Sequence, residues 1–523
     1  MTVSTDHPRL SLQFPPLRLF IGGSWRPAAD GATYNLVNPA TGQALAEVAS
    51  TGPPDVTAAM DAAAGAFPEW SATTLAHRVR ILERAAQLVQ ARAGDLAALL
   101  SLEAGVPLAC AQTEAGWALD GLWAAIRDLA HPRSGPHPPG GFGGMAQPPP
   151  GARAWTGPLS PGAAQPWPDA VGAGASAGQA GGGRPGRAGW LGPEPRWRRA
   201  ARPIGPVLVV LPAEEPLVTA AKQTAAALAA GCPVILKPAA ETPLAVLALT
   251  QTLIEAGLPA GVLNVIPCVN APSPIEPTLG DPRLRKLSYT GSVATAQKLL
   301  AAADLTSLDV TLDLAGPAPL IVTARADRET ALAAAQAAAS RFNGQGPAAS
   351  HVAYVDSSLA HDFADGLASR FSSLTVGDPA AGTVQVGPVL SAAARDAALA
   401  QVAAAVQGGA SVLTGGSAPS GDGFFVAPTV LQGVAPETWP SAEVCGPVLG
   451  IVPFDSLDQA VDWANSARGG SVAYVIDADG RDAERIGARL SHKTVAVNTG
   501  VVPPLPSRHP SRDFARAQVM VLG

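Results

Sequence analysis

Reactive side chains are sparse in this chain. Four cysteines, Cys110, Cys232, Cys268 and Cys445, are spread over 523 residues. None has a second cysteine or a histidine at metal-ligand spacing, so a reducing compartment is expected and a metal centre is not. Cys445 stands in an apolar setting beside Val444, where a lone cysteine behaves as a small core residue. Ser350 and His351 are adjacent and chemically suited to a nucleophile–base pair, but neighbours in a strand point to opposite faces. Two other stretches point to a ligand site, the second of them to a phosphate. Lys237-Pro238 follows the apolar run Val234-Ile235-Leu236, and Leu287-Ser288-Tyr289-Thr290-Gly291-Ser292 runs toward the start of a helix. A strand that ends in Gly-Ser at a helix start presents backbone N–H groups to an anion.

The elements around Lys237 follow from the local pattern. Val207-Leu208-Val209-Val210-Leu211 lies between Pro206 and Pro212 and reads as a buried strand. Residues 216–230, rich in Ala and Leu, read as a helix closed by Gly231. The strand 234–236 follows, then a helix over 244–256 that Thr242-Pro243 opens and Gly257 ends. Strand, helix, strand, helix in this order is a parallel α/β unit with right-handed crossovers. In such sheets ligands bind beyond the carboxyl ends of the strands, which is where Lys237 falls. Upstream, 17–23 reads as a strand and turn, 35–42 as a turn-rich connector and 45–48 as a returning strand. Residues 55–130 are helical, with Leu82, Ala85, Ala86, Leu88 and Val89 at helical spacing.

Composition fits a soluble globular protein, with 47% hydrophobic and 15% charged residues. A net charge of −6 argues against a general nucleic-acid binder. No apolar run reaches the roughly 18 residues that span a membrane. The first residues lack a basic start and an apolar core, so a cytoplasmic protein is expected.

These motifs, in this order, resemble the aldehyde dehydrogenase superfamily. The family's Ala-Leu-Ala-Ala-Gly-Asn and Lys-Pro-x-x-x-Thr-Pro are matched by Ala227-Leu228-Ala229-Ala230-Gly231-Cys232 and Lys237-Pro238-Ala239-Ala240-Glu241-Thr242-Pro243. Its Glu-Ala-Gly-Leu-Pro-x-Gly-Val-x-Asn-Val is matched from Glu255 to Val265, and its Phe-Thr-Gly-Ser by Tyr289-Thr290-Gly291-Ser292. Trp70, Arg78, Glu103 and Glu114 also fall at family positions and read as packing residues. The resemblance implies an α/β fold, with a Rossmann-type nucleotide-binding domain, a second α/β domain that normally bears the catalytic Cys, and a small oligomerisation element. It places the first domain at 17–130 and 202–312, the second at 313–500, and a tail with an oligomerisation strand at 501–523. It also implies NAD or NADP as cofactor, held by Lys237, Gly291, Ser292 and Glu443.

Aldehyde oxidation in this family needs a thiolate to attack the carbonyl, an amide to hold the oxyanion and a base to activate water. By resemblance the nucleophile motif Gly-Gln-x-Cys becomes Gly344-Gln345-Gly346-Pro347, which puts Pro347 where the thiol belongs. The oxyanion Asn becomes Glu214, whose carboxylate would repel the developing charge. The general-base Glu becomes Asp313, one methylene shorter. Three changes point to a chain impaired or inactive in aldehyde oxidation, a non-catalytic subunit that forms a homo-oligomer or pairs with an active paralogue. The alternative is an active NAD(P)-dependent oxidoreductase with a non-standard site.

Residues 131–201 interrupt the pattern, being rich in Gly and Pro and without a period, and nothing in them predicts the strand pair that the family builds here. A disordered insertion and a local reading-frame disturbance both account for this composition.

Overall fold

The computed structural model describes residues 15–130, 196–269, 274–439, 446–466, 470–503 and 513–522. By contacts the chain divides into a main unit, Met1–His131 with Ala200–Gln518, and a second, Pro132–Arg199 with Val519–Gly523, most of which lies outside the described residues.

The main unit is built on two seven-stranded sheets. In the first, five parallel strands run in the order Asp309–Leu314, Lys286–Gly291, Val207–Val210, Val234–Lys237 and Leu263–Val265. The hairpin of Leu19–Ile21 and Ser24–Arg26 completes this sheet in antiparallel sense. From Val207–Val210 the chain first adds strands on one side, then returns to add Lys286–Gly291 on the other. The order therefore reverses between Val207–Val210 and Lys286–Gly291, the crevice where a doubly wound sheet takes its ligand. Both central strands are buried along their length, which is why they read as unbroken apolar runs.

The second sheet runs Ser411–Thr414, Thr429–Gln432, Val448–Phe454, Val352–Asp356, Leu320–Val322, Val472–Ile476 and Thr494–Val497. All but the first are parallel. An α/β fold of two parallel-rich sheets is thus observed, as the motifs imply.

Helices Pro53–Ala72, Leu75–Ala91, Ala93–Ala104 and Leu108–Ala130 form the helical stretch expected before the Gly/Pro-rich segment. Helix Pro216–Ala230 has the expected bounds, and Gly231 follows it with φ 94°, the left-handed turn that glycine adopts without strain.

Two expectations need correction. Residues 35–37 belong to a strand, Thr33–Val37, paired with Ala44–Ala49, so the turn begins only at Asn38. Strand Arg196–Pro203 also lies partly inside the segment from which no strand was expected. It pairs with Ala515–Leu522, a partner more than three hundred residues away that local composition does not reveal.

Candidate functional site

A cavity of about 390 Å³ opens at the strand-order reversal of the first sheet. Its walls bring together six of the seven site residues singled out in the sequence: Lys237, Gly291, Ser292, Glu214, Asp313 and Pro347. Glu443 lies outside the described residues, as does Cys445.

One end of the cavity is set by the nucleotide-binding sheet. Strand Val234–Lys237 delivers Lys237 at its carboxyl end, with the side chain only 6% exposed. Gly291 has φ 150°, and a Cβ there would lie 2.5 Å from the Tyr289 hydroxyl, so only glycine fits the turn. The same hydroxyl donates to the Ser292 carbonyl at 3.0 Å. Ser292 caps helix Val293–Ala302, its Oγ accepting from the Thr295 N–H at 3.3 Å. Cys268 also lines this end, and burial raises its thiol pKa while the nearby Lys237 charge opposes the shift.

The opposite wall is the loop 341–350, which four side-chain hydrogen bonds hold in place. Phe342 and Asn343 adopt left-handed backbone conformations, φ 50° and 59°. The Asn343 amide donates to the carbonyls of Gly105 (2.9 Å) and Pro388 (2.8 Å), and its oxygen accepts from Gly387 N–H at 2.7 Å. Gln345 accepts from Leu390 N–H at 2.9 Å. At the tip of this scaffold stands Pro347, exposed and without any group able to attack a carbonyl.

The structure brings His351 to the cavity, while Ser350 and His351 bond to separate carbonyls. Ser350 Oγ donates to Val352 O at 3.2 Å, and His351 Nδ1 lies 3.1 Å from Val448 O. A bond to a carbonyl requires the proton on Nδ1, which leaves Nε2 without one. Burial lowers the His351 pKa from 6.5 to about 4, so the ring is neutral. His351 lines the cavity and Ser350 does not, in line with the opposite-face argument.

Two carboxylates read as packing residues turn out to cap helices. Glu103 accepts from Leu244 N–H at 2.5 Å and Ala245 N–H at 2.9 Å, and Glu114 from Leu217 N–H at 2.8 Å. These are the unpaired N–H groups of the first turns of Leu244–Glu255 and Pro216–Ala230. Burial pushes the Glu103 pKa up to about 8, against the pull of its two N–H donors.

Sequence reasoning passed over Glu215 and Arg341. Glu215 precedes helix Pro216–Ala230 with φ 47°, a conformation that costs a non-glycine residue about 1–3 kcal/mol. Its place beside Glu214 was the only signal in the sequence.

The comparisons agree with this architecture. The profile of the aldehyde dehydrogenase family matches residues 25–139 and 194–510. A succinate-semialdehyde dehydrogenase of Paenarthrobacter nicotinovorans is 33% identical over 466 residues, 88% of this chain and 91% of the relative. Betaine aldehyde dehydrogenase 1 of Rhizobium meliloti is 31% identical, covering 93% of this chain and 90% of the relative. The crystal structure of an NADP-dependent enzyme of Escherichia coli superposes with a TM-score of 0.83 at 28% identity, over 98% of each chain. A doubly wound sheet with its cleft at the strand-order reversal, facing a braced loop from a second parallel sheet, defines a dehydrogenase-type dinucleotide fold. The chain belongs to the aldehyde dehydrogenase family.

Proposed function

We propose that this chain binds a nicotinamide dinucleotide, NAD or NADP, in the cleft and does not oxidise aldehydes by the thiol route. The observation that carries this reading is the lining of one cavity by Lys237, Gly291 and Ser292 at one end and by Pro347, Glu214 and Asp313 at the other. The groove fits the cofactor: Gly291 and Ser292 line it at the start of helix Val293–Ala302, where backbone N–H groups suit an anion, and Lys237 lines it at the end of its strand. When bound, the nicotinamide would accept a hydride.

The chain's own groups do not generate that hydride donor by the thiol route. Pro347 forms no bond to a carbonyl carbon. Glu214 places a carboxylate where an amide N–H would stabilise an oxyanion, so the charge that develops meets repulsion. Asp313 at the cavity wall keeps an acceptor for a water proton, but there is no thioester for that water to hydrolyse. A role as a non-catalytic subunit, in a homo-oligomer or with an active paralogue, and a reducing cytoplasmic setting fit this reading. Among the described residues no helix is long and apolar enough to cross a membrane, and Cys110, Cys232 and Cys268 are unbridged.

A second reading has one observation in its favour: Cys268 lines the same cavity. Its raised pKa disfavours the thiolate. Calorimetry with NAD and NADP, beside a turnover assay with succinate semialdehyde, betaine aldehyde and simple alkanals, separates the two. Binding without turnover is expected. Turnover that Cys268→Ser abolishes would establish the second reading, and failure to bind either dinucleotide would remove both.

A further inference from the structure

The second sheet repeats the strand-order reversal of the first. From Leu320–Val322 the chain adds Val352–Asp356 on one side and later returns to add Val472–Ile476 on the other. Helix Arg328–Ser340, between the first two strands, shares a core with Leu320 and Val322. Helix Gly480–Gly487, after the third, shares one with Ile321 on the opposite face. Neighbouring strands whose crossovers leave toward opposite faces open a crevice at their carboxyl ends. A cavity of about 420 Å³ lies there, lined by Thr323 and Arg325 past one strand, Asp477 past the other, and Arg485 and Arg489 further along. We propose that this crevice is a second ligand site, and that it takes a small phosphate monoester with an apolar body.

Charge at the crevice is sorted by depth. Asp477, with a side chain 3% exposed, is already engaged: Oδ2 accepts from Thr323 Oγ1 at 2.6 Å, and Oδ1 from Arg325 Nη2 at 3.0 Å and Asp479 N–H at 2.8 Å. Asp356 accepts from the Ser358 N–H at 3.0 Å and from its hydroxyl at 2.5 Å. Asp482, 30% exposed, joins Arg325 to Arg485. The cations are the outward members, with Arg325 57%, Arg485 79% and Arg489 43% exposed. Among the described residues each guanidinium meets carboxylates through a single terminal nitrogen, that of Arg489 bonding Asp458 on helix Leu457–Ser466. A guanidinium carries five N–H donors, so each retains another edge for an anion.

Three such groups exceed what the two oxygens of one carboxylate can use, and they suit the three terminal oxygens of a phosphate monoester. Phe454, Leu457 and Ile486 supply an apolar side, and the volume is that of a small-molecule pocket. Loop 341–350 precedes strand Val352–Asp356 and the crevice lies past its end, so five residues, about 13 Å of strand, separate it from the dinucleotide cleft. Among the described residues none lines both. The inference therefore goes beyond dinucleotide binding and stands or falls separately from it.

The test is calorimetry with phenyl phosphate, and with benzyl alcohol as an uncharged counterpart, on the full chain and on three variants. Arg485→Gln/Arg489→Gln should weaken phenyl phosphate about tenfold or more, a difference of about 1.4 kcal/mol. Both arginines pair only with surface carboxylates, so the double variant should stay folded. Asp482→Asn, which releases Arg325 and Arg485 from their shared anion, should tighten binding about threefold. Lys237→Gln should leave it unchanged, and benzyl alcohol should not bind. No binding of phenyl phosphate, binding that survives the loss of both arginines, or no tightening in Asp482→Asn would overturn the assignment. So would binding that Lys237→Gln removes, because the phosphate would then sit in the dinucleotide cleft.

Discussion

The two walls of the main cavity differ in what they keep. The wall built on the nucleotide-binding sheet joins its frame to groups suited to an anionic ligand: the strand end that carries Lys237, the Cβ-free turn at Gly291 and the Ser292 cap. The loop wall keeps only the frame. Asn343 and Gln345 still tie it to residues 105, 387, 388 and 390, yet the position they aim at the cavity is a proline. Positioning and reactivity are therefore separable demands on a sequence. Loop bracing depends on buried hydrogen bonds whose loss would unfold the segment, whereas a nucleophile contributes nothing to the fold that holds it.

This contrast can be tested from its strongest consequence downward. Asn343→Ala should be the most damaging change, since it strands two carbonyls and one N–H and places alanine at φ 59°. A loss of roughly 3–5 kcal/mol in urea unfolding is expected. A loss below about 1 kcal/mol would show that the loop is not braced as described.

Restoring chemistry comes next. Pro347→Cys alone should give little turnover of alkanals, because Glu214 still opposes the oxyanion. Adding Glu214→Asn should raise the rate by about 10²–10³, the worth of one oxyanion donor. A single variant as active as the double would refute the role given to Glu214.

His351 yields a pH prediction whose sign follows from its environment. The folded-state pKa is depressed from 6.5 to about 4, so its contribution to stability is complete above pH 6.5 and is lost as pH falls toward 4. Between those limits stability should fall by about 3 kcal/mol on this account, and His351→Asn should flatten the profile. Unfolding midpoints measured from pH 7 to pH 4.5 on both proteins would reveal the difference, and parallel profiles would dismiss it. The smallest effect expected is on the wall built on the nucleotide-binding sheet. Lys237→Gln should weaken NAD binding about tenfold, near 1.4 kcal/mol, read by calorimetry.

Much of this arrangement was legible before any coordinates. Short apolar runs fenced by proline and glycine mark the central strands, because a strand buried on both faces has no polar side to show. Lys237, Gly291 and Ser292 could be placed at one cleft because strand ends in a parallel sheet converge there. The pairing of Arg196–Pro203 with Ala515–Leu522 could not be read, because it joins distant segments without a local period. Glu215 and Arg341 escaped for a related reason. They line one small cavity only because loop 341–350 folds over a helix start, and their identities alone indicate only charge. Glu103 and Glu114 were placed correctly as buried structural groups, but their partners are backbone amides, which have no letter in a sequence.

Those two glutamates also bear on how the molecule is made. Their acceptors and donors are synthesised far apart: helices Ala93–Ala104 and Leu108–Ala130 leave the ribosome well before residues 217 and 244. Until then each carboxylate stays hydrated, and the face that carries it has no reason to close. The polar contacts that close that face are therefore complete only once residues 217 and 244 have emerged. The long connection that follows the early helices lengthens this interval during translation, although its entropic cost grows only with the logarithm of its length. Helices Pro216–Ala230 and Leu244–Glu255, each with a bare N-terminal turn, then bring the N–H groups that those carboxylates accept.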